Sequence, residues 1–289
     1  MTEVARVDDR LGLAVLRASL SGRTLVTYAR DHVAVRTPSR PDFLDGNALD
    51  LMAAPAPDAL AGWQQRFTET VGRLGADRLH LRFEQPVADP SDTQAPSPDA
   101  DLATALRAHG LELRPVTVLL LGALGPEPSS VAAELRPVEP PGVGPTAAVD
   151  RRWYASTVLY RYAAGDTPED WRAPDEDFVA WSVDVQRELA AAGRAQVWIA
   201  MRHGAPVARL TLIHDRQGLA VLEDVVVHPV HRRRGLAAAL THRALDAHLR
   251  AWPGTRVGVA AEPGSAGDRL YRRLGFAPHA TVWAALAPG

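Results

Sequence analysis

Hydrophobic and polar positions follow a regular order along the carboxy-terminal half of the chain. Runs of β-branched and apolar residues predict strands, and apolar positions spaced three or four apart predict amphipathic helices. A turn at Gly204 joins two of the predicted strands into an antiparallel hairpin. The pattern predicts strands at 133–138, 196–200, 207–214, 222–227, 256–261 and from 276, and helices at 150–164, 175–192, 236–252 and 265–274.

The amino-terminal half contains a shorter set of elements in a similar order. Strand-like runs occur within residues 15–52. The later elements are predicted as a helix at 59–74, a strand at 78–83, a helix at 101–109 and a strand at 116–121. His109-Gly110-Leu111 precedes the last of these strands, as Leu274-Gly275-Phe276 precedes the last strand of the chain. We interpret this weak internal repeat as the duplication of a domain.

The stretch 222–240 joins a strand to a helix through a basic loop. The strand ends at His228-Pro229, because proline cannot continue a ladder, and the helix begins at Leu236. Unpaired backbone N–H groups at a helix start, together with the helix dipole, attract anions. The loop adds positive charge and a glycine that allows a ligand to approach the backbone: Arg232, Arg233, Arg234 and Gly235. This loop is therefore predicted to bind an anion.

Two blocks of the sequence resemble signatures of the GNAT acetyltransferase superfamily. Arg232-x-x-Gly235-x-Ala237 resembles the Q/R-x-x-G-x-G/A loop, which in that family holds the pyrophosphate of acetyl-CoA. Asp268-Arg-Leu-Tyr-Arg-Arg-Leu-Gly-Phe276 resembles the family's helix A-x-x-L-Y-x-x-x-G-F, in which the tyrosine lies near the thiol of CoA. The predicted element order over 131–289 also matches the GNAT fold. The resemblance implies an N-acetyltransferase that uses acetyl-CoA as co-substrate and needs no metal.

The resemblance also implies an α/β (α+β) chain of two GNAT-like domains, each with a mixed, mostly antiparallel central sheet flanked by helices. The predicted boundaries are 1–125 for the first domain, 126–130 for a linker and 131–289 for the acetyl-CoA-binding domain. The stretch 35–47 resembles a pattern found in the amino-terminal half of some tandem GNAT proteins. This half has Ala54-Pro-Ala-Pro-Asp58 where a phosphate loop is expected, and Leu106 at the position of Tyr271. We therefore expect it to be catalytically degenerate.

Two carboxylates in the strand 222–227 are candidates for the general base. Alternation along a strand puts Glu223 and Asp224 on opposite faces, so at most one points at the substrate directly. A buried carboxylate has a raised pKa, which suits it to accept a proton from an ammonium group through water. We favour Glu223 over Asp224. The alternative is that they form a solvated edge or an ion pair with one of the arginines.

The other site residues follow from the resemblance. Tyr271 is the candidate acid, since a neutral phenol can protonate a thiolate; alternatively it packs against the sheet. The family has Asn where this chain has Gly264, so Ser265 is expected to supply the missing hydrogen bond to CoA. Independently of the resemblance, the aromatic residues Trp153 and Tyr154 are candidates for the acceptor side; the alternative is that they belong to the core. The backbone N–H groups and side chains expected to hold the thioester carbonyl and the phosphates belong to Val225, Val226, Val227, Arg232, Arg233, Arg234, Gly235, Leu236 and Ala237.

Composition narrows the classes of function. The formal net charge of −2 argues against a general nucleic-acid-binding protein, so the arginine cluster is a local feature. The absence of cysteine excludes disulfides, thiolate zinc sites and a cysteine nucleophile. No apolar stretch approaches the roughly 20 residues that span a bilayer. A cytoplasmic protein that does not bind membranes is therefore the default expectation.

The sequence leaves the acceptor and the assembly open. A primary amine of a small molecule is the favoured acceptor, and a protein amino group is the alternative. Function in this fold resides in the loops and helices before the hairpin, so the fold itself does not choose between them. A non-catalytic acyl-CoA-binding or regulatory protein is the second functional hypothesis, and a homodimer is left open.

Overall fold

The computed structural model describes residues 10–87, 97–139 and 176–287. The predicted helix at 150–164 and the acceptor-side candidates Trp153 and Tyr154 lie outside the described residues. The chain divides into two compact units. Unit 1 comprises Met1–Leu120, Ala260–Arg269 and Ala277–Gly289, and unit 2 comprises Leu121–Val259 and Leu270–Phe276.

Unit 1 contains a sheet in which one crossover connection is made by a helix. The elements of unit 1 are α1 (Leu11–Ser19), β1 (Leu25–Tyr28), β2 (His32–Arg36), β3 (Ala48–Leu51), α2 (Leu60–Thr70), β4 (His80–Pro86), α3 (Ala100–Ala108), β5 (Glu112–Leu121) and β11 (Phe276–Leu286), except that Leu121 and Phe276 belong to unit 2. Strands β1, β2 and β3 pair antiparallel, and β3 and β4, which precede and follow α2 in the sequence, pair in parallel. The last described strand, β11, pairs antiparallel with β4, with Trp283 opposite Phe83.

The core of unit 1 lies where α2 and α3 pack on the sheet. Leu60 and Phe67 are seven positions apart, so both fall on the buried face of α2, as the predicted periodicity requires. They contact apolar side chains of the strands and of α3. Full burial of one such side chain stabilises the fold by about 1.5–3 kcal/mol. The strand and α3 members of this cluster include Leu49, Leu51, Leu81, Phe83, Leu102, Leu106 and Trp283.

Buried charges in unit 1 are paired across long sequence distances. The carboxylate of Asp50, which is fully buried, accepts hydrogen bonds from Arg17 (2.8 Å) and from Nε of Arg82 (2.6 Å). The Glu84 carboxylate accepts the backbone N–H of Leu13 at 2.9 Å and so satisfies a donor in the first turn of α1. These contacts offset the cost of removing the charges from water.

Unit 2 contains an antiparallel meander followed by a parallel crossover. The elements of unit 2 are β6 (Glu134–Pro137), α4 (Glu176–Ala191), β7 (Ala195–Arg202), β8 (Ala205–His214), β9 (Leu219–Val227), α5 (Leu236–Ala251), β10 (Arg256–Ala261) and α6 (Ala266–Arg273), except that the part of β10 and α6 within Ala260–Arg269 belongs to unit 1. Strands β6, β7, β8 and β9 pair antiparallel in sequence order, and β10, which follows α5 in the sequence, pairs in parallel with β9. Gly204, at φ 79°, forms the turn of the predicted hairpin. The predicted fold class, a mixed and mostly antiparallel sheet flanked by helices, is confirmed.

The two halves of the chain share an order of elements. The series β2, β3, α2, β4, α3, β5 corresponds to β8, β9, α5, β10, α6, β11, and in each series a parallel pair of strands flanks a helix in the sequence. The compact units are nevertheless not continuous in sequence, because β11 pairs with β4 in unit 1. The division into 1–125, 126–130 and 131–289 stays a prediction. Within the described ranges, no helix combines the length and the apolar character needed to cross a membrane.

Candidate functional site

Strand β9 contains a β-bulge at Asp224 and Val225. Thr211 of β8 pairs with Glu223 and Arg209 pairs with Val226, so β9 advances three residues where β8 advances two. Asp224 adopts φ 53°, a left-handed conformation that is uncommon for any residue other than glycine. A bulge leaves its extra residue out of the hydrogen-bonded ladder. Strand pairing is therefore interrupted next to Val225, Val226 and Val227, the residues predicted to hold the thioester carbonyl, and the interruption begins at Asp224.

The Asp224 side chain joins a buried polar group on the neighbouring elements. Gln186 of α4 donates from Nε2 to Oδ2 of Asp224 at 2.7 Å, and a guanidinium nitrogen of Arg209 lies 3.7 Å from the same oxygen. Arg209 also donates to Gln186 Oε1 at 2.7 Å and to Thr211 Oγ1 at 3.2 Å. Gln186 and Arg209 are both fully buried. The predicted alternative of an ion pair thus holds for Asp224, but its partner is Arg209 of β8 rather than an arginine of the loop.

Glu223 and Tyr271 interact electrostatically. The Tyr271 side chain is 7% exposed, and its ring contacts Phe276 edge-on at 5.8 Å between ring centroids. Burial raises the pKa of the Tyr271 phenol, and the negative charge of Glu223 raises that pKa further. Glu223 itself is half-buried. The structure thus places Glu223 within electrostatic reach of Tyr271, whereas Asp224 is bound to α4 and β8.

The predicted anion loop leads directly into α5. Gly235 precedes the helix at φ 76° and, because it has no side chain, does not itself cap the helix start. The first backbone N–H groups, at Leu236 and Ala237, therefore point out of the helix without intrahelical acceptors. Arg233 and Arg234 are exposed, whereas Arg232 donates from Nε to the carbonyl of Val227 at 3.0 Å. Arg232 thus ties the loop to the end of β9.

Two histidines lie beside this loop. The rings of His228 and His231 are 5.7 Å apart between centroids, and Arg202 of β7 lies 3.5 Å from Nδ1 of His231. Burial lowers the pKa of His228, and Arg232 lowers it further; burial and then Arg202 lower the pKa of His231. Both rings are therefore kept neutral to a lower pH, and the positive charge at the loop comes from its arginines.

The carboxy-terminal end of α6, which carries Tyr271, is anchored by the segment after β5. The N–H of Gly122 donates to Gly275 O at 3.1 Å, and the N–H of Gly125 donates to Leu274 O at 3.0 Å. Nε2 of His242 on α5 lies 3.0 Å from the carbonyl oxygen of Gly125. Residues 122–125, immediately before the predicted linker, thus connect the carboxy-terminal end of α6 with the middle of α5.

Ser265 lies at the start of α6, in the part of the chain that belongs to unit 1. Its hydroxyl accepts the backbone N–H of Asp268 at 3.1 Å, and the Asp268 carboxylate accepts the N–H of Gly264 at 3.1 Å. This reciprocal arrangement caps the helix. The predicted contact of Ser265 with CoA stays a prediction. Among the residues that the structure describes, no three His, Asp or Glu side chains are grouped so that they could hold a metal ion.

The sequence did not indicate Gln186 and Arg209 as parts of the site. One signal was present, because Arg209 is a charged residue inside the apolar run 207–213, where a strand was predicted. A buried arginine in such a strand requires an acceptor close by. Gln186 gave no comparable signal, since glutamine is common on helix surfaces.

Comparisons with known proteins match the carboxy-terminal region to one family and the whole chain to one fold. The model of the Acetyltransferase (GNAT) family matches residues 158–276. No curated protein matches the chain significantly. A conserved protein of unknown function from Staphylococcus epidermidis ATCC 12228 has a similar structure, with a TM-score of 0.66, 12% identity and coverage of 92% of this chain and 94% of its own.

Two solved GCN5-related N-acetyltransferases also share the fold. The protein from Kribbella flavida gives a TM-score of 0.56 at 20% identity and covers 96% of this chain and 96% of its own. The protein from Sphaerobacter thermophilus gives a TM-score of 0.54 at 18% identity and covers 94% of this chain and 84% of its own. The likeness of fold thus extends over nearly the whole chain.

Proposed function

We propose that the protein is an acetyl-CoA-dependent N-acetyltransferase that acts on a primary amine, since the Acetyltransferase (GNAT) family model matches residues 158–276. One observation carries the proposal. The basic start of α5 follows, after the loop 228–235, a bulged strand whose Glu223 raises the pKa of the buried Tyr271. This combination provides an anion-binding helix start, a carboxylate and a phenol within one unit.

The start of α5 is the proposed binding site for the phosphates of the donor. Its first N–H groups, the left-handed Gly235 and the exposed Arg233 and Arg234 suit a pyrophosphate. Arg232 holds the loop against Val227 through Nε, and it stays a prediction for phosphate binding through its remaining guanidinium N–H groups. When bound, acetyl-CoA supplies the acetyl group as a thioester, from which the amine displaces CoA as the thiol. The interrupted backbone from Asp224 to Val227 is the proposed donor of hydrogen bonds to the thioester carbonyl.

Glu223 is the proposed general base. An amine attacks only after losing a proton, so the acceptor's ammonium group must transfer one to the enzyme directly or through water. The Asp224 carboxylate accepts a hydrogen bond from Gln186 and lies beside Arg209. The charge of Glu223, by contrast, raises the pKa of Tyr271. This difference in surroundings supports Glu223 over Asp224, the same order as the sequence-based preference.

Tyr271 is the proposed proton donor to the leaving sulfur. Burial and the charge of Glu223 raise the pKa of its phenol, so the hydroxyl stays protonated at neutral pH. It can then donate a hydrogen bond as negative charge develops on the sulfur, and the thiol leaves when the proton is transferred. The proton taken up at Glu223 and the one given by Tyr271 balance over a turnover through exchange with water.

A small-molecule amine is the proposed acceptor, and a protein amino group is the alternative. Trp153 and Tyr154 stay predictions for the acceptor side, and the homodimer and the cytoplasmic location likewise stay predictions. The amino-terminal half is proposed to be a degenerate GNAT-like domain. Ala54-Pro-Ala-Pro-Asp58 follows β3, where the arginine-rich loop follows β9, and lacks both arginine and glycine.

Calorimetric titration with acetyl-CoA tests the binding half of the proposal. We expect the wild type to bind with micromolar affinity and Gly235→Glu to lose that binding, because the variant places a negative charge at the proposed phosphate site. Gly254→Glu is the matched control. Gly254 lies just past the other end of α5, is exposed and has φ 83°. Gly254→Glu therefore adds the same charge as Gly235→Glu and places a side chain on a similar left-handed backbone, away from the proposed phosphate site. Absence of binding by the folded wild type would contradict the proposal.

A second measurement separates the enzyme from a non-catalytic acyl-CoA-binding or regulatory protein. Release of free CoA thiol is followed with a panel of small amines, amino-sugars and peptides with free amino groups. Turnover with any of these amines supports the enzyme and indicates its acceptor class. Binding of acetyl-CoA without thiol release across the panel would favour the regulatory alternative, which keeps the helix-start site and lacks acceptor chemistry.

A further inference from the structure

The bulge in β9 depends on an unusual backbone conformation. Asp224 occupies the left-handed region at φ 53°, where the side chain of a residue other than glycine is sterically disfavoured. Conformations of this kind persist where the surrounding structure holds them in place. Contacts of Asp224 with the neighbouring elements must therefore hold this conformation.

Hydrogen bonds, an ion pair and strand pairing provide these contacts. Asp224 accepts a 2.7 Å hydrogen bond from Gln186 of α4, and Gln186 in turn accepts a 2.7 Å hydrogen bond from Arg209. The Arg209 guanidinium lies 3.7 Å from the Asp224 carboxylate, and the backbone of Arg209 pairs with Val226, just after the bulge. Arg209 is fully buried, so its charge requires an anion nearby. Asp224 provides that anion from within the bulge.

We propose that Gln186 and Arg209 are positioning residues, which hold the β-bulge of β9 through Asp224 and so fix the direction of the backbone N–H groups that follow it. The inference rests on the proposed function, since the direction of these N–H groups affects turnover only if they meet the thioester carbonyl. Together with Asp224 they form a group that we call the clamp, defined as Gln186, Arg209 and Asp224.

Steady-state kinetics of Gln186→Ala and Asp224→Asn test the clamp. Gln186→Ala removes both hydrogen bonds, whereas Asp224→Asn keeps an acceptor for Gln186 and tolerates the left-handed conformation but loses the charge. We expect kcat to fall about 10- to 100-fold in both variants, since small misplacements of catalytic donors have effects of this size and Asp224→Asn leaves the buried Arg209 charge without its anion. KM for acetyl-CoA should stay within about twofold, because the α5 start is untouched. The pH profile of kcat/KM should keep its shape in both variants.

Hydrogen exchange provides a readout that does not depend on turnover. Amide exchange measured by mass spectrometry should become faster over 223–227 in Gln186→Ala and remain unchanged over β10. Asp184→Asn is the control, because Asp184 lies two positions earlier on α4 and its side chain is exposed. This control should leave both kinetics and exchange at the wild-type values.

Each outcome either supports or overturns the clamp. Unchanged kcat in Gln186→Ala overturns it, and loss of the acidic limb of the pH profile in Asp224→Asn would make Asp224 the base instead. If the wild type has no turnover with any acceptor, the proposed function fails separately. Exchange then decides alone, and unchanged exchange over 223–227 in Gln186→Ala overturns the clamp.

Discussion

Glu223 on β9 and Tyr271 on α6 lie on different elements of unit 2, and the surroundings of Tyr271, Glu223 included, keep its phenol protonated. Burial raises the pKa of the Tyr271 phenol, and the carboxylate of Glu223 on β9 raises it further. A phenol that stays protonated near a carboxylate gives a proton donor and a proton acceptor at one place. The adjacent Asp224 is bound instead by Gln186. Two neighbouring carboxylates thus have different surroundings.

Tyr271→Phe should lower kcat roughly 100-fold without changing the affinity for acetyl-CoA. The variant keeps the buried ring and its edge contact with Phe276 and loses only the hydroxyl, so the expected loss is that of a general acid. Thiol release under saturating substrates measures the effect. Tyr28→Phe is the control, because Tyr28 is exposed on β1 of unit 1. Undiminished turnover in Tyr271→Phe would assign the tyrosine to packing alone.

Glu223→Gln should lower kcat/KM by about 10²- to 10⁴-fold and remove the acidic limb of its pH profile. The amide matches the carboxylate in shape but cannot accept the proton of the acceptor's ammonium group. Glu188→Gln, at an exposed position on α4, is the matched control and should behave as the wild type. An acidic limb that persists in Glu223→Gln would exclude this carboxylate as the base.

The sequence predicted the elements of the site wherever local pattern determined them. The helix predicted at 236–252 is α5, Leu236–Ala251, because its alanine-rich sequence favours a helix and Gly235 starts it. The helix predicted at 175–192 is α4, Glu176–Ala191. In these cases the helix propensity, the spacing of apolar residues and the residues that start and end the helix agree, so no distant contact is needed to define the element.

The features that were not predicted depend on partners far away in sequence. Helix α1 lies partly in a region predicted to contain strand-like runs, since its residues form a nearly continuous apolar run without a capping signal. A backbone N–H group of its first turn, that of Leu13, instead donates a hydrogen bond to Glu84, a residue 71 positions away. The left-handed Asp224 likewise depends on Arg209 and Gln186. Such contacts leave no local periodicity from which they could be predicted.

Gly275→Ala should destabilise the protein more than Gly110→Ala. Both glycines follow a helix in a left-handed conformation, at φ 100° and 71°, so each substitution costs about 1–2 kcal/mol for the backbone alone. A Cβ at Gly275 would also overlap the carbonyl oxygen of Ala123, whereas a Cβ at Gly110 meets open space among the described residues. The overlap should add about 1–3 kcal/mol. Urea unfolding of both variants measures the difference, and equal losses would contradict the tight contact with the segment 122–125.

Stability should fall as the pH is lowered from about 6.5 towards 4, because two buried histidines resist protonation. Burial, and then His214, lowers the pKa of His248 to about 4, and burial, and then Arg82, lowers the pKa of His80 to about 4. Unfolded histidine titrates near 6.5, so below that pH the unfolded chain binds protons that the folded chain excludes, whereas above it the two states bind equally. Each histidine should then lower the free energy of unfolding by about 2 kcal/mol between pH 7 and pH 5. Urea unfolding of the wild type and of His248→Leu at both pH values measures how much of this loss of unfolding free energy comes from His248. A variant that loses as much stability as the wild type would show that His248 does not contribute to the acid sensitivity.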